Sequence, residues 1–112
     1  MNTRVIHKCR WFWGWSYVLI FLDGIGIGRV QISDDEPGVA YILGVSVLPE
    51  NQGQGIGRRL MLELESLAWS LGSSEIRLTS EKQHPFTLGW YKRMGYDVYT
   101  EDRDLWYMSK EK

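Results

Sequence analysis

Between Val39 and Leu71 the chain changes its hydrophobic period once, and that change limits what it can fold into. Val39 to Leu48 is almost continuous apolar sequence, closed by Pro49, and predicts a central strand covered on both faces. The glycine-rich stretch Gln52-Gly53-Gln54-Gly55-Ile56-Gly57 follows. From there Leu60, Met61, Leu64, Leu67, Ala68 and Leu71 recur three and four positions apart, one face of an amphipathic helix. Gly72 stands where such a helix stops. Glu75 to Thr79 then alternates, with Ile76 and Leu78 on one face. A strand, a helix and a second strand in this order require parallel strands joined by a right-handed crossover.

The flanking sequence is strand-like before this unit and mixed after it. Val5 to Trp13 is aromatic and β-branched and ends at Gly14. Tyr17 to Leu22 is an apolar run closed by Asp23-Gly24, a hairpin signal. Ile25, Ile27 and Val30 lead to Ile32, before the polar turn of residues 33–38. Gly24, Gly26 and Gly28 alternate with isoleucines inside this strand pattern. They indicate close backbone approach or a bulge, rather than a phosphate loop. After the second parallel strand, Pro85 to Met94 reads as a shorter helix ending at Gly95. Tyr96 to Thr100 and Leu105 to Ser109 read as a closing hairpin. The expectation is an α+β fold, a single domain over residues 1–112. Its sheet is mixed and mostly antiparallel, with one βαβ unit and two main helices.

Composition narrows the function. Hydrophobic residues at 44% and charged residues at 24% give a globular balance. A formal net charge of −1 supplies no global positive field for nucleic acid. Cys9 is the sole cysteine, so no intrachain disulfide forms, and it reads as a half-buried thiol. No apolar run reaches the roughly 18 residues of a membrane span, and the start Met-Asn-Thr-Arg has no apolar signal core. A soluble cytoplasmic protein without a membrane or nucleic-acid partner is expected. Trp11, Trp13 and Trp15 alternate, so a single strand would point all three to one face. That face is either core, the wall of a binding site, or a subunit contact.

The segment that carries chemistry runs from Val45 to Arg59. A strand end, a glycine-rich turn and a helix N-terminus together offer backbone N–H groups to an anion. Three glycines allow close approach, and Arg58 and Arg59 add cationic donors. The spacing here is G-x-G-x-G after antiparallel hairpins, which does not match the dinucleotide pattern G-x-G-x-x-G in a βαβ unit. A nucleotide triphosphate loop needs Gly-Lys-Ser/Thr, and Gly57 is followed by Arg58-Arg59.

Two ordered motifs make the chain resemble the GNAT superfamily of acyl-CoA N-acyltransferases, in a short form. The pattern Q/R-x-x-G-x-G/A after a strand stands here as Gln52 to Gly57. The run Trp90-Tyr91-Lys92-Arg93-Met94-Gly95-Tyr96 stands for that family's aromatic-Tyr-x-x-x-Gly-aromatic signature. Leu105 to Lys110 looks like its final strand, so the resemblance covers roughly Tyr17 onward.

The resemblance implies an acetyl-CoA-dependent N-acetyltransferase with no metal, acting by direct amine attack through a tetrahedral intermediate. The backbone of Val45, Ser46 and Val47 would hold the pantetheine arm and aim an N–H at the thioester carbonyl, where a fixed dipole is most effective. Gln52, Gly53, Gln54, Gly55, Ile56, Gly57 and Arg58 would take the pyrophosphate. Tyr91 would be the general acid to the departing thiolate, or else a helix tyrosine packed on the core. Many relatives carry Asn where His84 stands, so His84 is a polar contact, a base or a helix cap.

Some relatives place a catalytic Glu where Tyr41 stands, so no base carries over. Glu81 is the leading candidate, with Asp35 and Glu36 acting through water as others. The two helices that usually follow the first strand are expected to be missing, because only sixteen residues precede Tyr17. The acceptor side is therefore open, or is completed by Trp11, Trp13 and Trp15 or by a second subunit. A small-molecule or peptide amine and a homodimer are the expected partners. The alternative is a non-catalytic CoA-binding module.

Overall fold

The computed structural model describes residues 4–112. Four strands, β1 (Arg4–Trp11), β2 (Gly14–Phe21), β3 (Gly26–Ser33) and β4 (Val39–Val47), form an antiparallel meander. Helix α1 (Ile56–Ser70) leads to β5 (Glu75–Glu81), which pairs parallel with β4. Helix α2 (Pro85–Arg93) precedes β6 (Asp97–Glu101) and β7 (Leu105–Glu111). The sheet order is β1-β2-β3-β4-β5-β7-β6, so the last strand inserts between β5 and β6. This is the mixed, mostly antiparallel α+β sheet with one βαβ unit that the periodicities imply.

The core occupies one face of the sheet. Leu19, Phe21, Val30, Ala40, Ile42, Ile76, Leu78 and Met108 are buried there against Leu60, Met61, Leu64, Leu67 and Ala68 of α1. Gly26 and Gly28 are where the helix comes closest. A β-carbon on Gly28 would stand 2.5 Å from Leu64 Cδ1, and one on Gly26 would stand 3.2 Å from Leu60 Cδ2. Helix α2 lies on the same side. Its Tyr91 ring is 6.0 Å from Tyr96, and the Tyr96 hydroxyl donates to Glu65 of α1 at 2.7 Å.

Among the described residues no helix covers the opposite face, so β4 is covered on one side only, contrary to the expectation from its apolar run. Its burial alternates: Ala40 and Ile42 are enclosed, while Leu43 is 37% exposed and its neighbour Ile27 on β3 is 42% exposed.

The three indoles do not share a strand. The chain turns at Phe12-Trp13, and Trp11 of β1 pairs with Gly14 of β2. The glycine explains the turn's position, since a β-carbon there would meet the Ile32 carbonyl oxygen at 2.0 Å. Trp15 pairs with Arg10, the register position next to Trp11, so Trp11 and Trp15 point to opposite faces. Phe12 and Trp13 stand at the tip, 82% and 58% exposed. Cys9 is exposed on β1, not half-buried.

Candidate active site

The site begins where β4 and β5 part. Their pairing runs only from Val39↔Glu75 to Tyr41↔Arg77. Two positions later β4 bulges: Ile27 pairs with Ser46 and Arg29 with Leu43, which sets Gly44 and Val45 against Gly28 alone. Gly44 takes φ 65°, a left-handed conformation that glycine adopts without steric cost. Beyond the bulge the strands are not bonded to each other, and their backbone polar groups face a gap. A hollow of about 380 Å³ fills it, lined by Gly44, Val45, Ser80, Glu81, His84 and Tyr91 among others.

A longer groove of about 580 Å³ continues from this hollow past Val45, Ser46 and Val47 to Gln52, Gly53, Gly55, Gly57 and Arg58. Its other wall is α2, with Phe86, Thr87, Trp90 and Tyr91. Gln52 Nε2 donates to the Val47 carbonyl at 3.0 Å, tying the loop to the strand end. Gly53 and Gly55 have φ of 80° and 78°, and a β-carbon at either would meet nothing within 4 Å. The N-cap of α1 is Gly55, so no side chain caps its first N–H groups. These donors, the helix dipole and Arg58 suit a phosphate-bearing ligand. Gln54 and Ile56 do not line the groove: Gln54 is exposed and Ile56 is buried in the core. Arg59 also turns away, with its guanidinium 5.4 Å from the Phe21 ring.

Among the described residues, Tyr91 is the one that lines both the groove and the hollow while also belonging to the buried core. Burial alone raises its hydroxyl above the ordinary phenol range. Glu81 and His84 share the hollow with it, their side chains mostly exposed, with His84 Nε2 3.7 Å from Glu81 Oε2. His84 occupies the N-cap position of α2 but makes no side-chain cap bond. Gln83 Nε2 donates to the same Glu81 oxygen at 2.8 Å.

Asp35 and Glu36 lie apart from the hollow, on the uncovered side. Tyr41 Oη lies 3.1 Å from both carboxylate oxygens of Glu36. Burial first, then the bond to Glu36, raises the Tyr41 phenol.

Phe86, Trp90 and Gly44 were missing from the candidate residues. Trp90 stood in the aromatic motif, and Gly44 interrupts an apolar strand, the sequence mark of a bulge. Among the described residues no group of three or more His, Cys, Asp or Glu is arranged to hold a metal ion. No helix among them is long and apolar enough to cross a membrane.

The chain is similar to known proteins in sequence and in fold. The chain is 41% identical over 79 residues to the mycothiol acetyltransferase of Gordonia bronchialis, covering 70% of this chain and 25% of that protein. It is 36% identical over 95 residues to the S-alkylcysteine N-acetyltransferase of Bacillus subtilis, covering 77% of this chain and 53% of that one. The chain thus spans a quarter to about half the length of these curated relatives. Its fold superposes on the crystal structure of a paia N-acetyltransferase from Thermoplasma acidophilum in complex with coenzyme A. That match has a TM-score of 0.72 and 26% identity, over 87% of this chain and 60% of that one. Residues 4–96 match the family described as the acetyltransferase (GNAT) family, and the chain belongs to it.

Proposed function

We propose that this protein moves an acetyl group from acetyl-CoA to the amine of a small molecule. One observation carries the reading: the uncapped glycine loop and the largely buried Tyr91 lie along one groove, and that groove opens into the β4–β5 gap. In this reading Gln52 to Gly57 and Arg58 bind the pyrophosphate. The core position of Ile56 leaves only its backbone N–H for that role, and exposed Gln54 serves at the rim. The backbone of Val45, Ser46 and Val47 holds the pantetheine arm.

Bound acetyl-CoA supplies a thioester carbonyl open to amine attack. An N–H beside the Gly44 bulge stabilises the oxyanion that develops there. The amine nitrogen bonds to the carbonyl carbon, the carbon–sulfur bond breaks, and one proton passes overall from nitrogen to sulfur. Tyr91 donates a hydrogen bond to the departing thiolate. A phenol at its reference pKa is already a weaker acid than a thiol by about 2 kcal/mol, and burial widens that gap. Tyr91 therefore holds the thiolate and protonates it late. Glu81, with His84 beside it, receives the amine proton through water.

The attacking amine must be neutral, and Glu81, the carboxylate lining the hollow, is mostly exposed. Deprotonating an isolated lysine amine at pH 7 costs about 4.6 kcal/mol, against about 1 kcal/mol for an α-amine. The acceptor is therefore an α-amine, or an amine whose pKa a neighbouring charge depresses. The names of both curated relatives support a small-molecule acceptor, and an S-alkylcysteine offers an α-amine.

Release of free thiol from acetyl-CoA tests this, with matched acceptors offering only an α-amine or only a lysine amine across a pH series. We expect the α-amine to react faster at pH 7. No thiol release with any amine would overturn the transferase reading, and faster lysine acetylation would reveal a strong base. We also propose a cytoplasmic homodimer. The reduced Cys9 fits that compartment, and the unpaired edge of β1 beside exposed Phe12 and Trp13 offers a surface for a second copy. A monomer mass in sedimentation at micromolar concentration would overturn the dimer.

A further inference from the structure

A second cavity lies on the uncovered face of the sheet, about 290 Å³ in volume, lined by Trp11, Gln31, Ile32, Glu36, Tyr41 and Leu43, with Ser33 at its side. Three observations give it a chemistry. Its one lining carboxylate, Glu36, shares its countercharge. Arg77 Nη1 stands 3.6 Å from Glu36, but Arg77 Nε is held closer by Glu75, at 2.8 Å. Two carboxylates thus face one guanidinium, which leaves negative charge beside two aromatic rings, the environment that attracts a cation.

The second observation is a polar row, two members of which, Gln31 and Tyr41, line the cavity. Ser16 pairs with Gln31, and Gln31 with Tyr41, so these side chains share the uncovered face. Ser16 is only 8% exposed, and among the described residues its hydroxyl, an oxygen able to accept from a cation, has no partner. Buried polar groups without partners are uncommon in folded proteins, and a bound ligand is one way they are satisfied.

The third is continuity with the reaction site. Leu43 lines this cavity and also the hollow that holds Tyr91. It sits two residues along β4 from Tyr41 on the same face, a separation of about 7 Å.

We propose that this cavity is the distal binding point of the acceptor and takes an ammonium group, so that the acceptor class is a small diamine. The inference rests on the acetyl-transfer reading and extends it. One nitrogen stays protonated against Glu36 and the rings of Trp11 and Tyr41, while the chain passes Leu43 and presents the other in the β4–β5 gap. An ammonium is compact and carries three donors, which suits a carboxylate already accepting from a tyrosine. The held charge lowers the pKa of the reacting amine by like-charge repulsion, which leaves more of it neutral for attack.

The test compares 1,4-diaminobutane, butylamine and S-methylcysteine as acceptors, with the wild-type protein and Glu36→Gln. The diamine should exceed butylamine in kcat/KM by about tenfold, the size of a hydrogen bond to a charged group. Glu36→Gln should bring that ratio toward one, mainly through KM, while the CoA-induced rise in melting temperature stays as in the wild type. Equal use of the two amines by the wild type would overturn the proposal, as would a ratio unmoved by Glu36→Gln. Preference for S-methylcysteine over the diamine would also overturn it, while leaving acetyl transfer standing. If no amine releases thiol, the transfer reading falls. Calorimetric titration of 1,4-diaminobutane into CoA-saturated protein then decides the subsite. Saturable binding weakened by Glu36→Gln supports it, and no heat of binding overturns it.

Discussion

The Tyr96 hydroxyl donates to Glu65 Oε2 at 2.7 Å, joining the residue before β6 to the middle of α1. Lys110 of β7 completes the cluster, with Nζ 3.2 Å from Glu65 Oε1 and 2.9 Å from the Met94 carbonyl. Burial first, then the bond to Glu65, pushes the Tyr96 phenol far above its ordinary value. The folded state therefore keeps a proton that the unfolded chain loses near pH 10, and in that range unfolding free energy falls as pH rises. The stability from this group is fully present below about pH 10 and is lost progressively above it. Thermal melts from pH 8 to 11 should show that decline, and Tyr96→Phe should make it shallower. A Tyr96→Phe protein with an unchanged alkaline slope would show that other groups cause the decline.

Gly28 has no room for a side chain beneath Leu64. Gly28→Ala should destabilise the protein by about 1–3 kcal/mol, the usual cost of overpacking a filled core. Denaturant melts read the loss directly. An unchanged midpoint would mean that α1 shifts freely over β3.

Gly55 is tested by separating charge from backbone strain. Its φ of 78° penalises any side chain, by roughly 1–2 kcal/mol. Gly55→Ala carries that strain alone, whereas Gly55→Glu also puts a carboxylate where the pyrophosphate would bind. CoA should raise the melting temperature of the wild type and, less strongly, of Gly55→Ala, and should leave folded Gly55→Glu unmoved. Equal stabilisation of all three would remove the loop from the binding site.

Tyr91→Phe keeps the ring that packs beside Trp90 and Tyr96 and deletes only the hydroxyl. Turnover should fall by about a hundredfold, the low end for a positioned acid, with CoA affinity nearly intact. Steady-state kinetics with calorimetric CoA titration separates the two effects. A loss within about threefold would make Tyr91 a packing residue.

Much of this was legible in the sequence because its causes are local. The spacing from Leu60 to Leu71 announces α1, and the glycines from Gln52 to Gly57 give the loop before it its backbone freedom. Gly26 and Gly28 signalled close approach, and the structure supplies the atoms, Leu60 and Leu64.

Other features depend on partners far away along the chain. Gly14 marked the end of the first strand, but only the assembled sheet shows why a glycine stands there, since the Ile32 carbonyl oxygen leaves no room for a β-carbon. The apolar run of β4 suggested cover on both faces, yet both helices pack on one side, and only the assembled sheet exposes Leu43. The insertion of β7 between β5 and β6 is likewise a choice of pairing, made where Met108 meets Leu78. What the sequence determined alone was periodicity, turn chemistry and the glycine loop, since each is set by neighbours a few residues apart. Tertiary structure decided which side chains meet: Glu81, His84 and Tyr91 in one hollow, Glu36, Tyr41 and Arg77 on the open face. Gly44 marks the bulge locally, but those meetings also depend on where β4 and β5 stop pairing, which no local pattern of residue types encodes.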